Sequence, residues 1–319
     1  MKILVTGANG FVGAQLSKTL ARSGHEVRNT ARSLASNSST TRELITCDLE
    51  SVDNLDHLTT GCDAIVHLAG RAHVMSDNPA TSESLYVSAN VDVTRKLAQS
   101  AARTGVKRMI LMSSVKVNGE STTINTPFTA QDIPNPQDPY GRSKTQAEQA
   151  LWEITSTSDL EGVVIRPPLV YGPGVRANFA SLIGIVGRGL PLPLGSIQNK
   201  RSFVSLDNLV DLISTTVQSP NAAGNTFLVS DGHDLSTPEL VRSIASALDQ
   251  SPKLFPFPSA LLKLAATASG RRGAYDRLCG SLTVDIALTK QKLSWTPPFT
   301  VQDSMQRTVD AFIQSKESR

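Results

Sequence analysis

The feature that most limits what this chain can become is its opening, KILVTGANGFVG (Lys2 to Gly13), a short apolar run that ends directly in Gly7, Gly10 and Gly13. The chain then continues as FVGAQLSKTLAR, where Phe11, Leu16 and Leu20 recur at near-helical spacing and Gly24 stands ready to end the helix in the left-handed region. A strand, a bare glycine turn and a helix in that order bring unpaired N–H groups to a backbone that a ligand can approach closely. That is the local requirement for holding a pyrophosphate. The glycine spacing is GxxGxxG, not the GxGxxG of the generic fingerprint.

The same alternation continues. EVRNTA, ELITC, AIVHLA, RMILMSS and GVVIRP are short β-type runs, apolar on both faces and mostly followed by helical stretches. Such repetition predicts parallel strands sandwiched by helices and joined by right-handed crossovers. The fold class expected is therefore α/β, a doubly wound parallel sheet (Rossmann-like) with a smaller C-terminal substrate-binding lobe. After Pro167 the chain grows richer in Gly and Pro, as in RPPLVYGPG and GRGLPLPLGS. We place the dinucleotide-binding domain at 1–170, with 201–230 (containing the strand-like RSFVSL and NTFLVS) returning to it. The second lobe is then 171–200 and 231–319. With 319 residues and 39% hydrophobic content, a core of this size can be built.

Net charge is only +3 and the basic residues are scattered along the sequence, which argues against nucleic acid. The first apolar run is too short for a signal peptide, and SALLKLAATAS is interrupted by Lys263, so no membrane insertion is expected. Cys47, Cys62 and Cys279 are odd in number and lack a CxxC pair, which fits reduced thiols and a cytoplasmic setting. His67 reads as a strand residue. Neither it nor His73 has metal-ligand spacing, so no metal is expected.

With these residues in place the chain resembles the extended branch of the short-chain dehydrogenase/reductase superfamily, which holds nucleotide-sugar epimerases, dehydratases and reductases. The matching stretches are TGANGFVG, Asp48-Leu49, HLAG (67–70), Asn90, Ser113-Ser114, YGRSK (140–144) and RPPLVYGPG (166–174), all in family order. The resemblance implies cofactor contacts from Gly7, Asn9, Gly10, Phe11, Val12, Gly13, Asp48, Leu49, Leu68, Ala69, Gly70, Asn90 and Pro167. Asp48 could equally be a turn former or helix cap.

YGRSK puts Tyr140 and Lys144 on one helical face, with Asp138-Pro139 ahead as N-cap and N1. A free phenol titrates at about 10, and a nearby ammonium favours its ionised form. The family also requires a Ser at the end of the preceding strand, assigned here to Ser114 with Ser113 as its rival. In the implied roles Ser114 hydrogen-bonds the reacting oxygen and Tyr140 exchanges its proton. Lys144 lowers the Tyr140 pKa and grips the nicotinamide ribose. Asn178, Phe179, Arg201 and Arg277 fall where relatives bind a UDP-sugar, Arg being suited to phosphate by its planar fork.

Details such as LAGRAHVM (68–75), GLPLPLG and RSFVSLDN look most like bacterial surface-polysaccharide enzymes, among them 4-reductases of UDP-4-keto-6-deoxy-N-acetylhexosamines. Reduction of the C4 keto group is the leading expectation, a UDP-hexose 4-epimerase with bound NAD the alternative, and a catalytically silent dinucleotide sensor the third reading. A dehydratase fits poorly, because Ser114 is followed by Val115-Lys116 and not by an acid pair. At the end of the second strand, VRNTARS places Ala31 where an acid would hold the adenosine ribose, followed by Arg32. The acid that repels a 2′-phosphate is missing and a cation stands beside the gap, so NADP(H) is preferred over NAD(H). Relatives pair through two helices per subunit, here 83–103 and 140–155, which implies a homodimer.

Overall fold

The computed structural model of the chain describes residues 1–33, 44–72, 79–270 and 272–317, with 79–82 described by backbone alone. Its centre is a seven-stranded, all-parallel sheet. The strands are β1 (Lys2–Thr6), β2 (Glu26–Ala31), β3 (Leu44–Thr46), β4 (Ala64–His67), β5 (Arg108–Met112), β6 (Glu161–Arg166) and, later in the chain, β9 (Asn225–Leu228). Their order is β3-β2-β1-β4-β5-β6-β9. The chain reverses its direction of winding between β1 and β4, which pair from Ile3 opposite Ala64 to Thr6 opposite His67. In sheets of this kind the crevice beyond the carboxyl ends at that reversal is where ligands bind. The centres of β4 and β5 show no alternation of buried and exposed residues; Ala64, Ile65, Val66, Met109, Ile110 and Leu111 are all buried, as strands covered by helices on both faces must be.

Helix α1 (Phe11–Arg22) buries Leu16 and Leu20 against one face, and Gly24 takes the left-handed conformation just past its end. On the other face lie α2 (Asp56–Thr59), α4 (Val93–Arg103) and α5 (Pro139–Thr155), whose Leu58, Leu97, Ala147 and Leu151 share a core with Ile65, Met109 and Val164. The stretch expected as one helix over 83–103 is α3 (Pro79–Tyr86), a wide π-helical turn (Val87–Asp92) and α4 in unbroken succession. Helix α5 begins as the sequence predicts: Asp138 Oδ1 accepts the Gly141 N–H at 2.6 Å and Pro139 occupies the first helical position.

Past β6 the chain forms β7 (Leu169–Tyr171), α6 (Ala177–Gly187) and β8 (Phe203–Ser205), and β7 pairs with β8 in a separate two-stranded parallel sheet. RSFVSL thus pairs with β7 and not with the large sheet, while NTFLVS becomes its edge strand β9 after α7 (Leu206–Gln218). The second lobe adds α8 (Thr237–Ala247), α9 (Ser259–Ala268), α10 (Arg272–Cys279), α11 (Ala287–Leu293) and α12 (Val301–Glu317). Its core joins Tyr171, Phe179, Ile183, Phe203, Ile244 and Val309. Leu282, Val284, Ile286, Leu293 and Trp295 pack instead into the core of the large sheet, beside Val204, Leu212 and Phe227.

Candidate active site

At the carboxyl ends of β1, β2 and β4 a cavity of about 460 Å³ is lined by Gly7, Asn9, Gly10, Thr30, Ala31, Arg32, Asp48, Leu49, Glu50, Leu68, Ala69 and Gly70 among others. The glycine turn is tight enough to forbid side chains: Gly7 has φ +68°, and a Cβ on it would stand 2.8 Å from the Ala69 nitrogen. A Cβ on Gly13 would stand 2.2 Å from the Gly7 carbonyl oxygen. Helix α1 starts at Gly10 with no side-chain cap, so its first N–H groups are left for a ligand. Thr30 Oγ1, buried in this lining, has no hydrogen-bond partner among the described residues. The residues therefore fit an elongated, anionic, hydroxyl-rich ligand such as a dinucleotide.

Other residues expected here have structural duties. Asn9 Nδ2 donates to the Ser33 carbonyl at 3.0 Å. Asp48 Oδ1 accepts the Glu50 N–H at 3.2 Å, so the turn-forming role weighed for it is present alongside its place in the lining. Leu49 is buried in the core. Phe11 and Val12 pack against the core as the first turn of α1, and the Pro167 carbonyl accepts the Val115 N–H at 3.0 Å. Asn90, on the π-helical turn, is 1% exposed and fully occupied: its Oδ1 accepts the Arg71 N–H at 2.8 Å, while Nδ2 donates to the Arg71 carbonyl and to Ser143 Oγ. It acts on the Gly70-Arg71 loop and on α5, not as a free amide in the cavity. His67 is buried with Nδ1 2.7 Å from Thr6 Oγ1, and burial drives its pKa down to about 3. His73, like the end of LAGRAHVM, lies outside the described residues.

The two serines after β5 stand in different surroundings. Ser113 is buried and donates to Glu148 Oε1, a carboxylate that Arg166 grips in a fork at 2.9 and 2.6 Å. Ser114 instead caps the short turn that follows, accepting the Lys116 N–H at 3.2 Å, and its hydroxyl faces the Tyr140 phenol. Tyr140 is half-buried, 6.0 Å ring to ring from Tyr86. Burial pushes its pKa up to about 12, with Ser114 pulling the other way. This corrects the expectation that Lys144 holds the phenol low: desolvation outweighs the stabilising contacts, and the Lys144 ammonium is directed to the Met112 carbonyl at 2.9 Å. Lys144 is itself only 7% exposed, and burial lowers its pKa to about 8. A Cβ on Gly70 would reach within 3.4 Å of Lys144 Nζ, so the loop lining the cavity and the Ser–Tyr–Lys group meet at this point.

In the second lobe, Arg201 is half-buried, and its Nη1 donates to the Gly280 carbonyl at 3.0 Å. Among the described residues no carboxylate lies within ion-pair distance of it, and burial lowers its pKa. Arg277, on α10, and Asn178, in the first turn of α6, are exposed. Phe179 differs from expectation: its ring stacks on Tyr171 at 5.4 Å and is 5% exposed, so the side chain belongs to the lobe's core.

The family model described as "NAD dependent epimerase/dehydratase family" matches residues 3–230. The chain belongs to the NAD-dependent epimerase/dehydratase family. It is 45% identical to a UDP-glucose 4-epimerase of Vibrio cholerae over 98% of this chain and 96% of that one. It is 26% identical to an N-acetyl-α-D-glucosaminyl-diphospho-ditrans,octacis-undecaprenol 4-epimerase of Escherichia coli O157:H7, covering 99% and 96%. Among solved structures, MoeE5 in complex with UDP-glucuronic acid and NAD superposes with a TM-score of 0.79 at 24% identity, covering 99% and 100%, a likeness of fold. The chain is thus an enzyme of the extended short-chain dehydrogenase/reductase type.

Two residues of this epimerase/dehydratase site had no signal in the sequence. Glu50 lines the cavity from beyond β3 and sits 3.7 Å from Arg32, although 18 positions separate them. Tyr86 packs beside Tyr140 under the Arg71 guanidinium, 5.7 Å from its ring centre. Only the folded crossover of α3 onto α5 brings it there.

Proposed function

We propose that the chain is an NAD-dependent UDP-hexose 4-epimerase. The observation that carries this reading is the end-to-end 45% identity with the Vibrio UDP-glucose 4-epimerase, and the convergence of Ser114, Tyr140 and Lys144 supports it. The reading replaces the 4-keto reductase favoured by the sequence alone, since both reactions call on the same three side chains. NAD, when bound, accepts the C4 hydride and returns it. In this reading Gly7, Gly10 and Gly13 with the start of α1 hold its pyrophosphate, and Asp48, Leu68, Ala69 and Gly70 flank its two ends. The Lys144 ammonium has two N–H donors beyond the one on Met112, suited to ribose hydroxyls. The Tyr140 phenolate oxygen takes the proton of the sugar's C4 hydroxyl as the C4–H bond breaks, then gives it back once the opposite face is presented. Ser114 donates to the same sugar oxygen. Because burial holds the phenol near 12, the first step depends on a donor at its oxygen, which this chain supplies as Ser114 Oγ. Arg201, a desolvated cation with no carboxylate partner among the described residues, is read as a ligand of the UDP phosphates, with Arg277 and Asn178 at the rim.

We read the cofactor as NAD and not the NADP that Arg32 suggested. Arg32 is 72% exposed and its charge is met by Glu50, whose carboxylate in the same lining opposes a 2′-phosphate. A dehydratase is disfavoured by the same neighbourhood: Val115 is buried, and Lys116 is tied to Glu120 and Asp138, so no acid pair adjoins Ser114. The deciding measurement supplies UDP-galactose to the purified protein and follows both sugar and cofactor. UDP-glucose should appear with no net change in cofactor oxidation state. Failure to interconvert these sugars, with stoichiometric NADPH oxidation on a UDP-4-keto-6-deoxyhexosamine, would return the reductase.

A further inference from the structure

Helix α9 has a composition that its surroundings do not account for. Its sequence is SALLKLAATA, with one charge, and none of its residues is buried. Leu262 and Ala266, four apart, form a half-buried inner edge, and Leu262 packs on the second-lobe core. Leu261, Leu264, Ala265 and Ala268, at the spacing i, i+3, i+4, i+7, make a second apolar stripe that faces outward, with Leu261 52% and Leu264 66% exposed. A helix apolar on opposite sides is ordinarily covered on both. Phe255, ahead of α9 in the sequence, is also exposed.

The charge around this stripe is as uneven as its polarity. Residues 251–280 contain Lys253, Lys263, Arg271, Arg272 and Arg277 against one acid, Asp276. That surplus of four exceeds the net +3 of the whole chain. Spread over thirty positions the cations do not read as a block, but Lys263, Arg272 and Arg277 are all exposed on the packed pair α9 and α10, which Tyr275 ties together by donating to the Ser259 carbonyl at 3.3 Å.

We propose that α9 and α10 dock the enzyme peripherally on an anionic lipid surface. Leucines beside lysine and arginine on a short exposed helix are what an interfacial segment needs: apolar side chains enter the headgroup boundary while the cations meet lipid phosphates. A ten-residue helix is about 15 Å long, half of a bilayer core, so it lies on the surface and does not cross it. A second copy is disfavoured as the occupant because apposition would set two like-charged surfaces together, and nucleic acid leaves the leucine stripe unmatched. The C-terminal end of α10 is anchored beside Arg201, where Asn199 Nδ2 donates to the Leu278 and Gly280 carbonyls and Arg201 donates to Gly280. Docking therefore sets that end of the second lobe against the lipid.

The test is sedimentation of the full chain with vesicles of phosphatidylcholine alone or mixed equally with phosphatidylglycerol, at low and high salt. It does not depend on the epimerase reading, because no turnover is required. Retention by the mixed vesicles, at least about tenfold above phosphatidylcholine alone and falling with salt, is expected. Leu261→Gln with Leu264→Gln, and separately Lys263→Glu with Arg272→Glu, should each cut retention by about tenfold or more. Both double variants should keep the wild-type Tm and turnover of soluble UDP-sugar. Equal retention by the two vesicle types overturns the proposal, as does retention that neither double variant weakens. A concentration-dependent dimer that Leu261→Gln with Leu264→Gln dissociates, without vesicle binding by the wild type, overturns it in favour of a second copy.

Discussion

Ser113 and Ser114 are adjacent, yet one serves the core and the other faces the Tyr140 phenol, so their alanine variants should part company. Ser113→Ala removes a donor to the buried Glu148 carboxylate and is expected to cost about 1–3 kcal/mol of stability with kcat little changed. Ser114→Ala should leave Tm close to wild type and lower kcat by about 100-fold, measured with the same UDP-sugar assay. Lys144 carries the opposite balance. Its folded pKa of about 8 lies below the ordinary 10.5, so at neutral pH the protein holds a charged, desolvated ammonium at a cost of about 3 kcal/mol. Between pH 8 and 10.5 the unfolded chain binds the proton that the folded one has released, and this contribution to stability rises with pH across that window. Lys144→Met should therefore raise the pH 7 melting temperature while abolishing turnover, and flatten the alkaline rise seen in denaturant titrations of the wild type. The Tyr140–Lys144 pairing was legible because four-residue spacing fixes a helical face. The choice between the serines was not, because it depends on which hydroxyl the Glu148 side chain of α5 reaches. Arg32 was read without its counter-charge for a related reason: its local context is cationic, and Glu50, which answers it, comes from another strand's end.

Helix α5 carries Tyr140 and Lys144 and is tied to the sheet by a buried ion pair, the Glu148–Arg166 fork between its third turn and β6. Glu148→Ala leaves the Arg166 guanidinium buried with only Asn118 Oδ1 at 3.1 Å, and should cost about 3–5 kcal/mol. Differential scanning calorimetry would register this as a fall in Tm on the order of 10 °C. A second clamp joins α5 to the crossover before it, through Asn90, Ser143 Oγ and the Tyr140 carbonyl. The elements themselves were largely readable, since α1, β2 and the start of α5 follow the apolar periodicity and caps residue by residue. The π-helical turn was not, because a helical pattern over 83–103 does not show where one turn widens; Asn90, on that turn, is buried.

At the scale of the whole molecule, the proposed epimerase reaction draws a different ligand from each lobe. Arg201→Ala should remove the thermal stabilisation given by UDP while leaving that given by NAD, each about 3 kcal/mol at a hundredfold excess over Kd. Loss of both shifts would instead make Arg201 a fold residue, held to Gly280 and Leu235. The parallel, helix-covered character of the sheet was readable from alternation, but its strand order was not, because RSFVSL reads as a strand without showing that its partner is β7. The assignment of Phe179 to ligand was not sustained, because a motif places a residue along the chain but not the direction of its ring, which here stacks on Tyr171. The packing of Leu282 to Trp295 into the first core has its own consequence. Trp295 donates to Asp211 at 2.7 Å, and Asn208 exchanges hydrogen bonds with the Phe299 backbone at 2.9 Å. On the ribosome, the strands of the large sheet emerge before the segment from Leu282 to Phe299 that completes their core. A nascent chain halted near residue 230, where the family match ends, would carry every glycine of the cradle and still lack the side chains from Leu282 to Trp295 that complete its core.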